Sequence, residues 1–352
     1  RIPRFGLRNR NRGKNMKKVL FATTALIATA GMAAAEVKIS GYGRFGLDWN
    51  EANDVAGNLD NTDATNITSR FRLTFDASTE TDGGVTVGGR IRAQAENRDG
   101  NQGRATFSSP QFHVAYGGLR VNVGNIWGAI DSAPGLYLNT TSVGTGIDGM
   151  GFNSLAIKGA GFDTFTSAGV GRGGIEAIYS AGGFTGHVSY SKQNGTAGTS
   201  TDANGVERTA LMLNYSFGDY FVTGAYQSAD NGRTITKGGV AVEADDDVIF
   251  LAGGADFGQF GATLQLAQTE EADSITLAGE AEVGAASTVI AWVNSTDIDT
   301  GVTAGQTVTD GTAFGINYEY DLGGGVTFVA GYVNTAADDN DNSVQAGLHF
   351  SF

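Results

Sequence analysis

Five arginines carry the densest cluster of chemical potential in this chain: Arg44, Arg70, Arg72, Arg90 and Arg92. A guanidinium keeps its charge at any working pH and is weakly hydrated, so the chemistry on offer is electrostatic lining of a wet surface. Acid–base or covalent catalysis has less to work with. The only histidines are His113, His187 and His349, and there is no cysteine. No GxSxG elbow and no histidine pair at metal-ligand spacing occurs, and "GYGRFG" at 41–46 sits within a strand pattern with no helix after it. The histidines read as ordinary lining on separate strands, and the expected metal set is none.

What positions the arginines is alternation. In "ITSRFRLTFDAS" (67–78) Ile67, Phe71, Leu73 and Phe75 take odd positions, while Thr68, Arg70, Arg72, Thr74 and Asp76 take even ones. Such a strand has one oily and one wet face. "VKISGYGRFGLDW" (37–49) repeats the pattern, with Val37, Ile39, Phe45, Leu47 and Trp49 opposite Lys38, Ser40, Tyr42, Arg44 and Asp48, and "VTVGGRIRAQAE" (85–96) follows. Further strands are predicted at 107–116, 119–127, 174–181, 184–192, 208–217, 220–228, 247–256, 259–268, 274–283, 286–294, 312–322, 326–336 and 343–352, sixteen in all. Their connections alternate between short turns, such as "YGG" (116–118) and "FGD" (217–219), and long polar loops at 50–66, 193–207, 229–246 and 295–311.

A meander of sixteen strands leaves two unpaired edges unless it closes, and a barrel that wide encloses water rather than a packed core. The oily face must then meet lipid. A mean hydropathy of −0.12 is compatible with this, because only alternate residues need be apolar. Trp49, Trp127, Tyr190, Tyr215, Phe217, Tyr226, Trp292, Tyr318, Tyr320, Tyr332 and Phe350 fall near strand ends, where aromatic girdles belong.

The N-terminus has its own logic. From Met16, "MKKVLFATTALIATAGMAAA" has a basic start, an apolar run too short to span a bilayer and a small-residue cleavage site, so 16–35 reads as a secretory signal cut between Ala35 and Glu36. Residues 1–15 read as an upstream over-extension, and 36–352 as one barrel domain. Eight of the 23 Lys and Arg precede Glu36, leaving fifteen against 37 acids, a formal charge of −22. That sign disfavours nucleic acid. Export without cysteine places stability on backbone pairing and packing.

The mature start "EVKISGYGRFGLDWN", "TSRFRLTFDASTETDGGVTVGGRIRA", "YDLGGGVTFVAGY" and the terminal "AGLHFSF" resemble general diffusion porins of the Gram-negative outer membrane, the sixteen-stranded trimeric type, over Glu36–Phe352. The resemblance implies an all-β transmembrane barrel, passive diffusion of small hydrophilic solutes and ions, a homotrimer, contact with outer-membrane lipid and lipopolysaccharide, and a third loop folded into the lumen. That loop corresponds to 128–173, with Leu136, Tyr137, Leu138 and Phe152 available to pack on a wall. The family pattern sets a basic wall, here Arg44, Arg70, Arg72, Arg90 and Arg92, across from loop acids, here Asp131, Asp148 and Asp163. This loop is less acidic than the family's and contains Lys158.

Small outward residues Gly41, Gly43, Ala77, Ala93 and Ala95 fit close packing between subunits. Acid clusters at Asp245-Asp246-Asp247, Glu270-Glu271-Asp273 and Asp338-Asp339 with Asp341 could hold Ca or Mg, although a solvated acidic surface explains them too, and no other cofactor is implied. Two other readings stay open. A substrate-specific channel would show saturable transport, and a barrel adhesin or enzyme would act without large conductance.

Overall fold

The computed structural model describes residues 35–53, 63–98, 101–193, 206–231, 234–299, 301–302, 308–336 and 341–352. The leader and Asp338-Asp339 lie outside them. Sixteen antiparallel strands follow in order: β1 Glu36–Asn50, β2 Thr65–Glu80, β3 Thr86–Arg98, β4 Gln111–Tyr116, β5 Leu119–Asn125, β6 Gly173–Ala181, β7 Phe184–Gln193, β8 Val206–Phe217, β9 Tyr220–Asp230, β10 Val248–Asp256, β11 Phe260–Thr269, β12 Ala272–Glu282, β13 Ser287–Ile298, β14 Gly311–Gly323, β15 Val326–Asn334 and β16 Asn342–Ser351. Each pairs with its neighbour, and β16 returns to β1 through registers such as Arg44↔His349 and Gly46↔Gly347. The barrel is closed. Short pieces at Asn101–Gln102 and Thr106–Phe107 add to β3, and a hairpin of Thr234–Lys237 with Val240–Glu243 decorates the β9–β10 connection.

Closure follows from alternation. Val37, Leu47, Ile67, Leu251 and Leu277 are half exposed or more on the outer face, whereas Thr223, Thr276 and Asn317 are fully buried at the opposite parity. A soluble barrel would invert this arrangement; a lipid-facing one requires it. Tight turns fix the register at one rim. At 117–118 both central residues are glycines in the left-handed region (φ +55° and +87°), as a two-residue hairpin turn demands. At this rim Tyr215, Phe217, Tyr220 and Phe257 form a chain of ring contacts with centroids 5.7–6.3 Å apart, a girdle in the expected place.

Two expectations need correction. The strand predicted at 107–116 breaks at Ser108–Pro110, because Pro110 has no N–H for the ladder and its carbonyl accepts from Asn125 instead (3.1 Å). Trp127 and Trp292 are not girdle residues. Trp292 is buried and donates to Thr145 (2.8 Å), and Trp127 packs its ring at a tilt against Phe165. The small size of Gly41 and Gly43 also serves packing within the chain. A Cβ on Gly43 would strike the Phe350 ring and one on Gly41 the Phe352 ring, so the last strand lays its aromatics across the first.

Among the described residues, the one long insertion without regular strands runs from 126 to 172. Its apolar side chains are buried against inward-parity residues of the strands: Ile130 and Leu136 with Met212 and Phe250, and Leu138 and Leu155 with Ile290 and Trp292. Full burial of one such side chain is worth about 1.5–3 kcal/mol.

Candidate functional site

The basic wall is built by register. Arg44 pairs across to Arg70, Arg72 faces Gln94, Arg70 faces Glu96, and Asp76 faces Arg90 on β1, β2 and β3. Like charges at such spacing repel, so each guanidinium has been given its own partner. Arg70 binds Glu96 through Nε and Nη2 (2.7 and 2.5 Å), and Arg90 grips Asp76 with two contacts (2.6 and 3.2 Å). The partners of Arg72 are neutral: the Gln94 amide oxygen at 2.6 Å and the Tyr42 ring at 5.0 Å, whose other neighbour is the stacked His349 ring.

Arg44 and Arg92 reach the 126–172 segment. Arg44 Nη2 lies 2.6 Å from Asp148 Oδ1, both side chains less than a tenth exposed, at an angle outside hydrogen-bond geometry, so charge holds the pair. Asp148 also accepts from the Thr68 hydroxyl, and its own N–H donates to Gln345 (2.9 Å). Arg92 lies over both Trp127 (4.8 Å) and Phe165 (4.6 Å) and donates to Ser167 (3.1 Å). Those rings come from the two ends of the segment, so one cation joins its entry and its exit.

Glu176 on β6 organises the entry. Fully buried, it accepts from Asn122 (2.6 Å) and from the backbone N–H of Gly128 (2.9 Å), with His187 Nε2 at 3.0 Å. Further along, the segment is fastened to wall after wall. Ala129 N–H donates to Ser189 (3.0 Å) and Gln227 donates to Gly161 O (2.9 Å). Thr276 donates to Leu155 O (2.6 Å), and Gly146 N–H donates to Asn317 (2.8 Å).

The three loop acids therefore divide. Asp148 meets the basic wall. Asp163 lies instead 3.6 Å from Arg208 and 3.9 Å from Arg172, with Arg208 also gripping Asp246. Asp131 is hydrogen-bonded by the Tyr137 hydroxyl. Burial pushes the Asp131 carboxyl up to about 6, with the Tyr137 bond opposing the shift. Burial likewise raises Asp163, and it pulls the Lys158 ammonium down to about 7.

Sequence reasoning did not single out Glu96, Asp76, Glu176, Trp127, Phe165 or Arg208 as site residues. Parity could have found Glu176, an acid at an inward position of the strand pattern "GGIEAIYSA". Nothing in the spacing announces that Trp127 and Phe165 meet under Arg92. Opposite β2, eight strands around the cylinder, stands β10. Acids at inward parity lie on β10 (Asp256), on β12 (Glu280) and, part of the way back round, on β14 (Glu319).

Of the acid clusters, Asp245 comes together with Asp230 and Glu243, their carboxylate oxygens within 4.8 Å of one another. Asp246 is turned to Arg208 and Asp247 accepts from Ala229 N–H (2.7 Å). Glu271 is buried, and Asp341 carries a hydrogen bond from Asn334.

A closed cylinder with an oily exterior and a charged, hydrogen-bonding interior defines a transmembrane β-barrel channel. Residues 22–343 match the Gram-negative porin family, and the chain belongs to it. Porins of Fuscovulum blasticum and Rhodobacter capsulatus are similar, at 29% identity over 321 residues and 28% over 340, each across 90% of this chain and 100% of the relative. A solved engineered variant of the Rh. blastica porin superposes with a TM-score of 0.69 at 27% identity, over 90% of this chain and 100% of that one. The protein is an outer-membrane general porin, a passive channel and not an enzyme.

Proposed function

We propose that the 126–172 segment folds into the lumen and narrows a water-filled pore, and that small hydrophilic solutes and ions pass between it and the basic wall. The observation that carries this reading is the ring of fastenings: the segment bonds inward-parity side chains from β2 and β6 round to β16. Arg44, Arg70, Arg72, Arg90 and Arg92 form the positive side of the constriction, and Asp131, Asp148 and Asp163 contribute on the segment. Three of the five arginines hold carboxylates within 2.7 Å, so the field at the narrowing is set mainly by Arg72 and Arg92, whose hydrogen-bond partners are neutral. Bulky apolar solutes lose water there without compensation, while polar ones align with the field.

The reading extends to the whole molecule. Residues 16–35 direct export, cleavage at Ala35-Glu36 releases a single barrel domain, and residues 1–15 are not part of the mature protein. Three chains assemble in the outer membrane against lipid and lipopolysaccharide, and Asp230, Glu243 and Asp245 are the acids best grouped to take a divalent cation. Neutralising Arg70, Arg72 and Arg90 together tests the constriction: the reversal potential in a salt gradient should move toward cation selectivity. An unchanged reversal potential removes these arginines from the narrowest passage.

A further inference from the structure

Three Lys or Arg side chains are buried among the described residues: Arg44, Lys158 and Arg208. Arg44 holds Asp148, and Arg208 holds Asp246 with Asp163 close by. Lys158, 5% exposed, holds no acid. Its Nζ donates to the Asn153 carbonyl, which occupies one of three ammonium hydrogens. No described carboxylate lies within ion-pair distance of that ammonium, Glu271 beneath the neighbouring Gly159 included. Burial shifts the group, and no acid counters the shift. A buried charge ordinarily comes with a counter-charge, so the chain leaves one place unfilled.

The space beside Lys158 fits what would fill it. A cavity of about 140 Å³ lies between residues 153–158 of the inserted segment and the long-loop ends of β13 and β14. A water takes about 30 Å³ in the liquid, so a molecule of a few heavy atoms has room here. The chain carries 37 Asp and Glu, yet none lines this cavity, and Lys158 is its one ionisable group among the described residues. The Asn153 side-chain amide and the Ser154 and Thr309 hydroxyls line it without a hydrogen-bond partner among the described residues. Ala313 and Ala336 add a small apolar side. An ammonium, spare neutral donors and a methyl-sized apolar wall have the chemistry of a receptor for an anion with more than one oxygen.

We propose that this cavity binds a small monocarboxylate of the formate and acetate class, one oxygen on the Lys158 ammonium and the other taking hydrogen bonds from Ser154 and Thr309. The bound anion supplies the counter-charge that Asp148 and Asp246 supply to the two buried arginines. Because Lys158 and Ser154 belong to the segment and Thr309 to the β13–β14 connection, the ligand bridges the two and tightens docking of the segment. The site goes beyond solute passage and is tested without a current.

The test is hydrogen exchange of the purified protein in detergent at about pH 6, below the value of about 7 to which burial brings Lys158. The reporters are the Ser154 and Leu155 amides, which donate to Gly151 O and Phe152 O (2.9 Å each). Replacing about 100 mM chloride by acetate at constant ionic strength should slow both about tenfold, the factor for a dissociation constant on the order of 10 mM. The neutral isostere acetamide should leave them unchanged. In K158M, whatever its own basal rate, acetate should have no effect. S154A/T309V keeps the ammonium and should need several times more acetate for half the slowing. Exchange that acetate does not slow, equal slowing by acetamide, or slowing that persists in K158M overturns the proposal. An unmoved half-effective concentration in S154A/T309V overturns the placement of the second oxygen.

Discussion

Replacing Asp148 by Asn tests how the inserted segment is held. The Arg44–Asp148 pair is short, 2.6 Å, and its side chains are 3% and 8% exposed. Asparagine keeps the shape and can still accept from the Thr68 hydroxyl, so the perturbation is the charge alone. Arg44 cannot shed its proton to escape, and removing one partner of a buried pair costs about 3–5 kcal/mol. Water lies close by in a channel, which argues for the lower end of that range. About 3 kcal/mol corresponds to a roughly hundredfold shift of the equilibrium between docked and released segment. The amide of Asp148, which donates to Gln345 at 2.9 Å, reports on release directly. Its hydrogen exchange should accelerate about a hundredfold in D148N, following the opening equilibrium. Open-channel noise should rise with it. The double variant R44M/D148N, in which no charge is stranded, should recover most of the protection. If D148N exchanges at the wild-type rate, or if the double variant is no better than D148N, the pair does not hold the segment and the reasoning fails.

Arg92→Leu removes the cation shared by Trp127 and Phe165 and the bond to Ser167. At about 0.5–2 kcal/mol per cation–π contact the segment's ends should loosen, seen as a red shift of tryptophan emission that Arg92→Lys only partly reproduces. Lys158 is held near 7 by burial, well below its ordinary value. Between about pH 7 and 10.4 the released form binds the extra proton, so docking should strengthen as pH rises through that window and stay flat below it. Exchange protection in K158M should lose this slope. Asp131 has the opposite sense: raised to about 6, it favours the docked segment as pH falls from 6 toward the ordinary aspartate value, a trend that D131N should abolish. Gly43→Leu would force a side chain into the Phe350 ring, and the crowding should lower the temperature at which the folded electrophoretic band converts to the unfolded one, consistent with about 1–3 kcal/mol of overpacking.

Alternation carried the barrel because its side chains obey a period that the backbone enforces. "ITSRFRLTFDAS" has its wet and oily faces in the structure where parity places them, and sixteen strands emerge in the order read from the sequence. Proline was the local exception. Pro110 cut the fourth strand short by denying it a ladder donor. The arginine wall was legible for the same reason as the strands: Arg44, Arg70, Arg72, Arg90 and Arg92 share one parity on neighbours. Their partners were only half legible. Glu96 and Asp76 sit at register positions that need the exact strand offset, and a shift of one residue would have turned them outward. The inserted segment has no period, so parity is silent about it. Its acids looked equivalent in the sequence, yet Asp148, Asp163 and Asp131 go to Arg44, to Arg208 and to Tyr137. Trp292 looked like a membrane-interface anchor because it falls near the end of the strand read from the sequence. Its inward parity was the stronger cue, and it won.

The most direct test of the account is the single-channel conductance of the purified protein in planar bilayers as salt concentration is varied. A wide aqueous passage predicts a linear current–voltage relation and a conductance that rises in proportion to bulk conductivity. Saturation of the current at modest salt, or bilayers that remain electrically silent, would contradict it.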